Sequence, residues 1–174
     1  DSVHTGNPAI ATFAADITSQ VIVGNAAPTV SAVTLNGGSA ITLTSNTTTS
    51  ISVNATVSDN NGCADVTGAT ASTTVLLYRS GVGSSSCLAT ANNLSCYQAT
   101  AFTASSPCSG GTTNTTTTFA VQYFANATDA SSSFAAQNWL TTVIFKDANS
   151  ATGTADASGV ELNTLTAINV TTSS

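Results

Sequence analysis

Apolar and polar residues alternate along most of this chain, and that alternation predicts strands. Between residues 11 and 23 (ATFAADITSQVIV), Ala11, Phe13, Ala15, Ile17, Ser19, Val21 and Val23 share one face at period two. Pro28–Leu35, Ile41–Thr44 and Thr49–Val57 are short runs rich in β-branched residues, bounded by the turn residues Asn36-Gly37-Gly38 and Asp59-Asn60-Asn61-Gly62. Further strands are predicted over Thr70–Tyr78, Thr117–Ala125, Trp139–Lys146 and Val160–Val170. No segment carries a convincing helical period.

Seven or eight strands separated by polar turns predict an all-β fold, an immunoglobulin-like β-sandwich. The run Gly24-Asn25-Ala26-Ala27-Pro28 reads as a linker and is followed at once by a good first strand. Residues 1–24 are therefore assigned to an N-terminal extension and residues 25–174 to the sandwich. The simpler alternative is that residues 11–23 are the first strand of the same domain. If they lie outside it, they present an unpaired edge with Phe13 and Ile17 in water, the condition under which strands pair between chains. The region from about 80 to 118 is a Ser-, Gly- and Cys-rich insertion whose large apolar anchors are Leu94, Tyr97 and Phe102. A loop of that length is either functional or stapled.

Composition narrows the setting. Two basic residues stand against eight acidic ones, giving a net charge of −6 and a pI near 4.1, which argues against nucleic acid and anionic membranes as partners. Only 6% of residues are charged, against about a quarter in an ordinary soluble domain, so hydroxyls and amides must hydrate the surface. No apolar run approaches the roughly 18–20 residues that span a bilayer, and Asp1 reads as a processed N-terminus or the cut end of a longer chain. Cys63, Cys87, Cys96 and Cys108 show neither a Cys-x-x-Cys pair nor a nearby histidine. Two disulfides and an oxidising, extracellular or cell-surface location follow. Three pairings are open, with Cys87–Cys96 plus Cys63–Cys108 preferred because they tie the insertion to the sheet.

Candidate chemistry is sparse. Asn46, Asn54, Asn93, Asn114, Asn126 and Asn169 each open an N-glycosylation acceptor pattern, and the Thr112–Thr118 tract offers hydroxyls for O-linked sugar. Covalent N-glycans are the expected attachments, with Ca²⁺ the one further candidate. Asp59, Asn60, Asn61 and Asp65, with Asp147 and Asn149 on a second turn, are hard oxygen donors that can hold Ca²⁺ at one end of a sandwich, although Asx residues are also ordinary turn chemistry. Trp139, the single tryptophan, heads a central strand and reads as core filler, with a sugar platform as the alternative. His4, the single histidine, has no positioned nucleophile or carboxylate nearby in sequence, so an enzyme is not expected.

The run Asn25-Ala26-Ala27-Pro28-Thr29-Val30, the turn Asp59-Asn60-Asn61-Gly62-Cys63-Ala64-Asp65, the strand Leu76-Leu77-Tyr78-Arg79, and the segment from Asn138-Trp139 to Lys146-Asp147-Ala148-Asn149 together resemble the Ig-like modules of large prokaryotic cell-surface proteins. The resemblance covers roughly residues 25–170 and implies a β-sandwich with an adhesive or structural role. In architecture the chain is also similar to archaeal thread-type filaments and bundling pili that assemble by donor strands. The expected function is a secreted, glycosylated structural subunit of an extracellular filament. It would polymerise head to tail with itself through Phe13, Ala15, Ile17, Val21 and Val23. The alternative is an Ig-like module of a larger surface adhesin or S-layer protein. A surface or glycan receptor, recognised through Tyr97 or Phe102, is a further possible partner.

Overall fold

The computed structural model describes residues 24–166. Ala11–Val23, with the five residues expected at a polymer interface, lies outside the described residues, as do His4 and Asn169.

Among the described residues, eight strands form two antiparallel four-stranded sheets. β1 (Thr29–Leu35), β2 (Thr48–Ser58), β6 (Thr112–Gln122) and β5 (Thr103–Ala104) make the first, in the order β1-β2-β6-β5. β4 (Cys96–Ala99), β3 (Ser72–Arg79), β7 (Trp139–Lys146) and β8 (Thr152–Asp156) make the second, in the order β4-β3-β7-β8. Two short helices, α1 (Cys63–Thr67) and α2 (Ser84–Ala89), sit in the connections. The all-β sandwich is thus as expected, and the helices are too short to print a period in the sequence.

β2 and β6 bury alternate residues. Val30 and Leu35 of β1, Ile51, Val53, Ala55 and Val57 of β2, and Phe119 and Val121 of β6 meet Val75 and Leu77 of β3, Tyr97 of β4, and Trp139, Val143 and Phe145 of β7 in one core. β3 departs from simple alternation because both its faces are covered. Leu76 and Tyr78 pack outward against Cys87 of α2 and Cys96 of β4, forming a second, smaller cluster. A strand covered on both sides reads as the continuous apolar run Val75-Leu76-Leu77-Tyr78.

The largest departure from expectation is β6, which starts at Thr112 and not at Thr117 and pairs with β2 along all eleven residues. Thr113, Thr115 and Thr117 point inward and are buried, their hydroxyls donating to the carbonyls of Ser106, Ala55 and Ala101 at 2.8, 3.3 and 3.3 Å. Threonine is polar in composition but β-branched in shape, so it fills a strand once its hydroxyl has a carbonyl to bond. Those three hydroxyls are therefore not available for O-linked sugar, whereas within the Thr112–Thr118 tract Thr118 is exposed.

Two predicted strands shrink to isolated bridges, Ile41 with Leu162 and Val160 with Trp139, within the described part of residues 160–170. In their place β8, Thr-Gly-Thr-Ala-Asp, pairs with β7 from Lys146 to Thr142. Its glycine is required by packing: a Cβ on Gly153 would stand 2.0 Å from the Pro28 carbonyl oxygen, so β8 closes against the start of β1.

The insertion is more ordered than its composition predicts, since it contains α2, β4, β5 and the first half of β6. Cys63 pairs with Cys108 and Cys87 with Cys96, the preferred pairing. Of the three expected anchors, Tyr97 is buried and Phe102 packs edge-on to Phe145, whereas Leu94 is half exposed. Trp139 is fully buried, tilted against Tyr97, and its indole N–H donates to the Asn126 carbonyl at 2.9 Å. It is a core residue and offers no face to a sugar.

Candidate metal centre

Both Asx-rich turns come to the same end of the sandwich. β2 ends at Ser58 and its turn carries Asp59, α1 follows with Asp65, and β7 ends at Lys146 with Asp147 next in chain. β2 and β7 belong to different sheets, but both run toward this end, so Asp147 meets two residues more than eighty positions earlier. One carboxylate oxygen from each of Asp59, Asp65 and Asp147 lies within 4.8 Å of the other two. Asp59 is 4% exposed, Asp65 8% and Asp147 0%.

Local hydrogen bonds hold each carboxylate in place. The Asn61 N–H donates to Asp59 Oδ1 at 2.7 Å, an Asx turn, and the Asp59 N–H donates to the Gly111 carbonyl at 2.9 Å. That second contact needs glycine, because Gly111 has φ +81° and a Cβ there would stand 2.2 Å from the Asp59 carbonyl oxygen. Asn149 Nδ2 donates to Asp65 Oδ1 at 2.8 Å, and the Ala148 N–H to the Asp65 carbonyl at 3.1 Å. Asp147 Oδ1 accepts the N–H groups of Asn149 and Ala151 at 2.9 and 2.8 Å, while Oδ2 accepts Asn25 Nδ2 at 2.9 Å. Burial raises the Asp147 carboxyl, and the bonds from Asn25 and the backbone outweigh it, so it titrates below the usual carboxylate range.

Two carboxylate oxygens of the cluster have no hydrogen-bond partner among the described residues, Asp59 Oδ2 and Asp65 Oδ2. Every side-chain donor to the cluster is a neutral amide. Of the chain's two basic residues, Arg79 stacks over Phe134 with its Cζ 3.8 Å from the ring centroid, and Lys146 is exposed at the end of β7. Three buried carboxylates with lone pairs free and no basic partner among the described residues are costly unless a cation joins them.

Among the other expected site residues, Asn46, Asn93 and Asn114 are exposed, and Asn54 and Asn126 are half-buried. Asn54 Oδ1 accepts the Thr116 hydroxyl at 2.7 Å and Asn114 Oδ1 the Thr56 hydroxyl at 2.8 Å, cross-strand pairs on the outer face of the β2–β6 ladder. Asn126 is held by its backbone, donating N–H to the Leu94 carbonyl and accepting from Trp139. Sequence reasoning left out Asn25, which the structure places directly on Asp147. Its only signal was its position in a linker-like run.

No protein-family model, curated protein or solved structure matches this chain.

Proposed function

We propose that the chain is a structural subunit of an extracellular filament, in which residues 11–23 of one copy add a strand to the sandwich of the next. The observation that carries this reading is the half-covered edge of β6. Its inner neighbour β2 pairs with all eleven residues, whereas β5 pairs only with Thr115 and Thr116. Thr117–Val121 therefore has no ladder partner other than β2 among the described residues, although β4 lies near β6 and the Thr117 hydroxyl donates to the Ala101 carbonyl. An open strand edge is a template for another chain's backbone, and side chains alternating into the core supply specificity.

Polarity fits as well. The Asn61 side-chain amide donates to the Gly24 carbonyl, so the chain enters the sandwich beside Asp59, where β6 begins. The open stretch runs toward the opposite end, where Gln122 faces Thr48 and the exposed rings of Tyr123 and Phe124 meet edge to face at 5.2 Å. A segment leaving one end and an acceptor edge reaching the other make a heterologous contact, which propagates into an open filament.

The strand order supports an immunoglobulin-type sandwich: β1-β2-β6-β5 faces β4-β3-β7-β8 as strands A, B, E and D face the C and F strands in that fold. Two disulfides support an oxidising environment, and the exposed acceptor sites Asn46, Asn93 and Asn114 support a glycosylated surface. Phe13→Asp with Ile17→Asp tests the assembly. Electron microscopy of the wild type should show thin filaments and the variant only folded monomers. Filaments from the variant, or isolated particles from the wild type, would overturn the reading; the latter result favours a module of a larger surface protein.

A further inference from the structure

We propose that Asp59, Asp65 and Asp147 bind a calcium ion, and that this ion fixes the linker through which residues 1–23 join the sandwich. The inference stands apart from the filament reading, since it concerns an ion and a linker within one chain.

The donor set selects the ion. The candidate ligands are three carboxylates, with no thiolate or imidazole beside them among the described residues. The nearest sulfur in sequence, Cys63, is held in a disulfide. Hard oxygen donors without thiolate or imidazole suit calcium or magnesium over zinc or copper. Size and number then favour calcium. Oxygens on opposite sides of a calcium shell lie about 4.6–5.2 Å apart, so three oxygens within 4.8 Å of one another fit inside one shell as they stand. Magnesium keeps most of its waters and is held by one or two carboxylates in near-ideal octahedral geometry, a poor match to three buried carboxylates brought in by separate chain segments.

The two oxygens without hydrogen-bond partners, on residues more than nine-tenths buried, are the independent sign that a ligand is part of the design. An Asx cluster built only to shape turns would consume its lone pairs on backbone N–H groups, as Asp147 Oδ1 does. Asp59 instead uses one oxygen for its own turn and Asp65 one for the Asn149 amide, and each leaves the other free.

The linker is bonded to this cluster at several points. Asn25 Nδ2 donates to Asp147 Oδ2, and Asn25 Oδ1 accepts from Asn149 Nδ2 at 3.2 Å. The Ala26 N–H donates to Asn61 Oδ1 at 2.7 Å, and Asn61 Nδ2 donates to the Gly24 carbonyl at 3.2 Å. Asn61 is in turn held by Asp59 and Asn149 by Asp147. Without a cation, mutual repulsion of three carboxylates pushes apart the groups that clasp Gly24–Ala26. With calcium the repulsion becomes attraction and the clasp tightens.

Titration of the intact chain with calcium chloride after EDTA treatment tests both halves. Calorimetry should give one site per chain, and the melting temperature should rise by roughly 5–10 °C at a hundredfold excess over Kd, with a smaller response to magnesium. Asp65→Asn should abolish the calcium response yet melt no lower than wild type in EDTA, because it removes one of three like charges. Hydrogen exchange at the Ala26 amide should slow several-fold on adding calcium to wild type and not to the variant. No binding heat and no melting shift for wild type would overturn the site. A shift without added protection at Ala26 would overturn the coupling to the linker. An Asp65→Asn chain destabilised equally with and without calcium would show the triad to be purely structural and overturn the proposal.

Discussion

Replacing Cys63 and Cys108 together by alanine should cost about 4 kcal/mol of stability, most of it through the unfolded chain. The bond closes a loop of 45 residues that contains β3, α2, β4 and β5, so opening it releases almost half of the second sheet in the denatured ensemble. In the chain-entropy treatment a loop of this length is worth about 4 kcal/mol at 25 °C, whereas the nine-residue separation of Cys87 and Cys96 is worth about 2.5. For a chain of this size the larger figure lowers the melting temperature by about 8–16 °C. Urea denaturation followed by the fluorescence of the single buried tryptophan, Trp139, measures it directly. Because the denatured chain expands once the tie is gone, the denaturant m-value should also rise, and more for the Cys63–Cys108 variant than for a Cys87–Cys96 one. Exposure gives a parallel check: Cys87 and Cys96 are fully buried while Cys63 and Cys108 are half-buried, so mild reductant should open the Cys63–Cys108 bond first. A loss below about 2 kcal/mol with an unchanged m-value would refute the loop argument.

Two further outcomes follow from single residues. Trp139→Ala should cost about 3–5 kcal/mol in urea unfolding, and Trp139→Phe about 1–3, since the latter keeps most of the packing against Tyr97 but strands the Asn126 carbonyl. Asp129 is held below the ordinary carboxylate range by the Thr164 hydroxyl and N–H, at 2.6 and 3.0 Å, which pins the segment after Leu162 to the loop before β7. A depressed folded value stabilises above the unfolded pKa of about 3.9 and loses its effect as pH falls through the folded value, so the penalty of Asp129→Asn should be present at pH 6 and shrink below about pH 4 in paired urea titrations.

Four strands of this fold were legible in the sequence alone: β1, β2, β3 and β7 are short runs rich in β-branched or aromatic residues, and local sterics suffice to predict them. The parity of the cysteines and the chemical type of the Asx turns were equally legible, because both are properties of residues and not of contacts. The first half of β6 was not, since buried threonines look like a solvated tract until Ala55, Ala101 and Ser106 supply carbonyls for their hydroxyls. β8 has almost no apolar signal and exists because β7 pairs it and Pro28 presses on its glycine. The acidic triad divides the same way. Sequence supplied Asp59 and Asp65 on one turn and Asp147 on another, but only the topology of two facing sheets brings those turns to one end. That proximity also decides that Asn25 clasps Asp147 and that two carboxylate oxygens are left buried without a donor, because burial and pairing belong to the whole fold and cannot be read from neighbours along the chain.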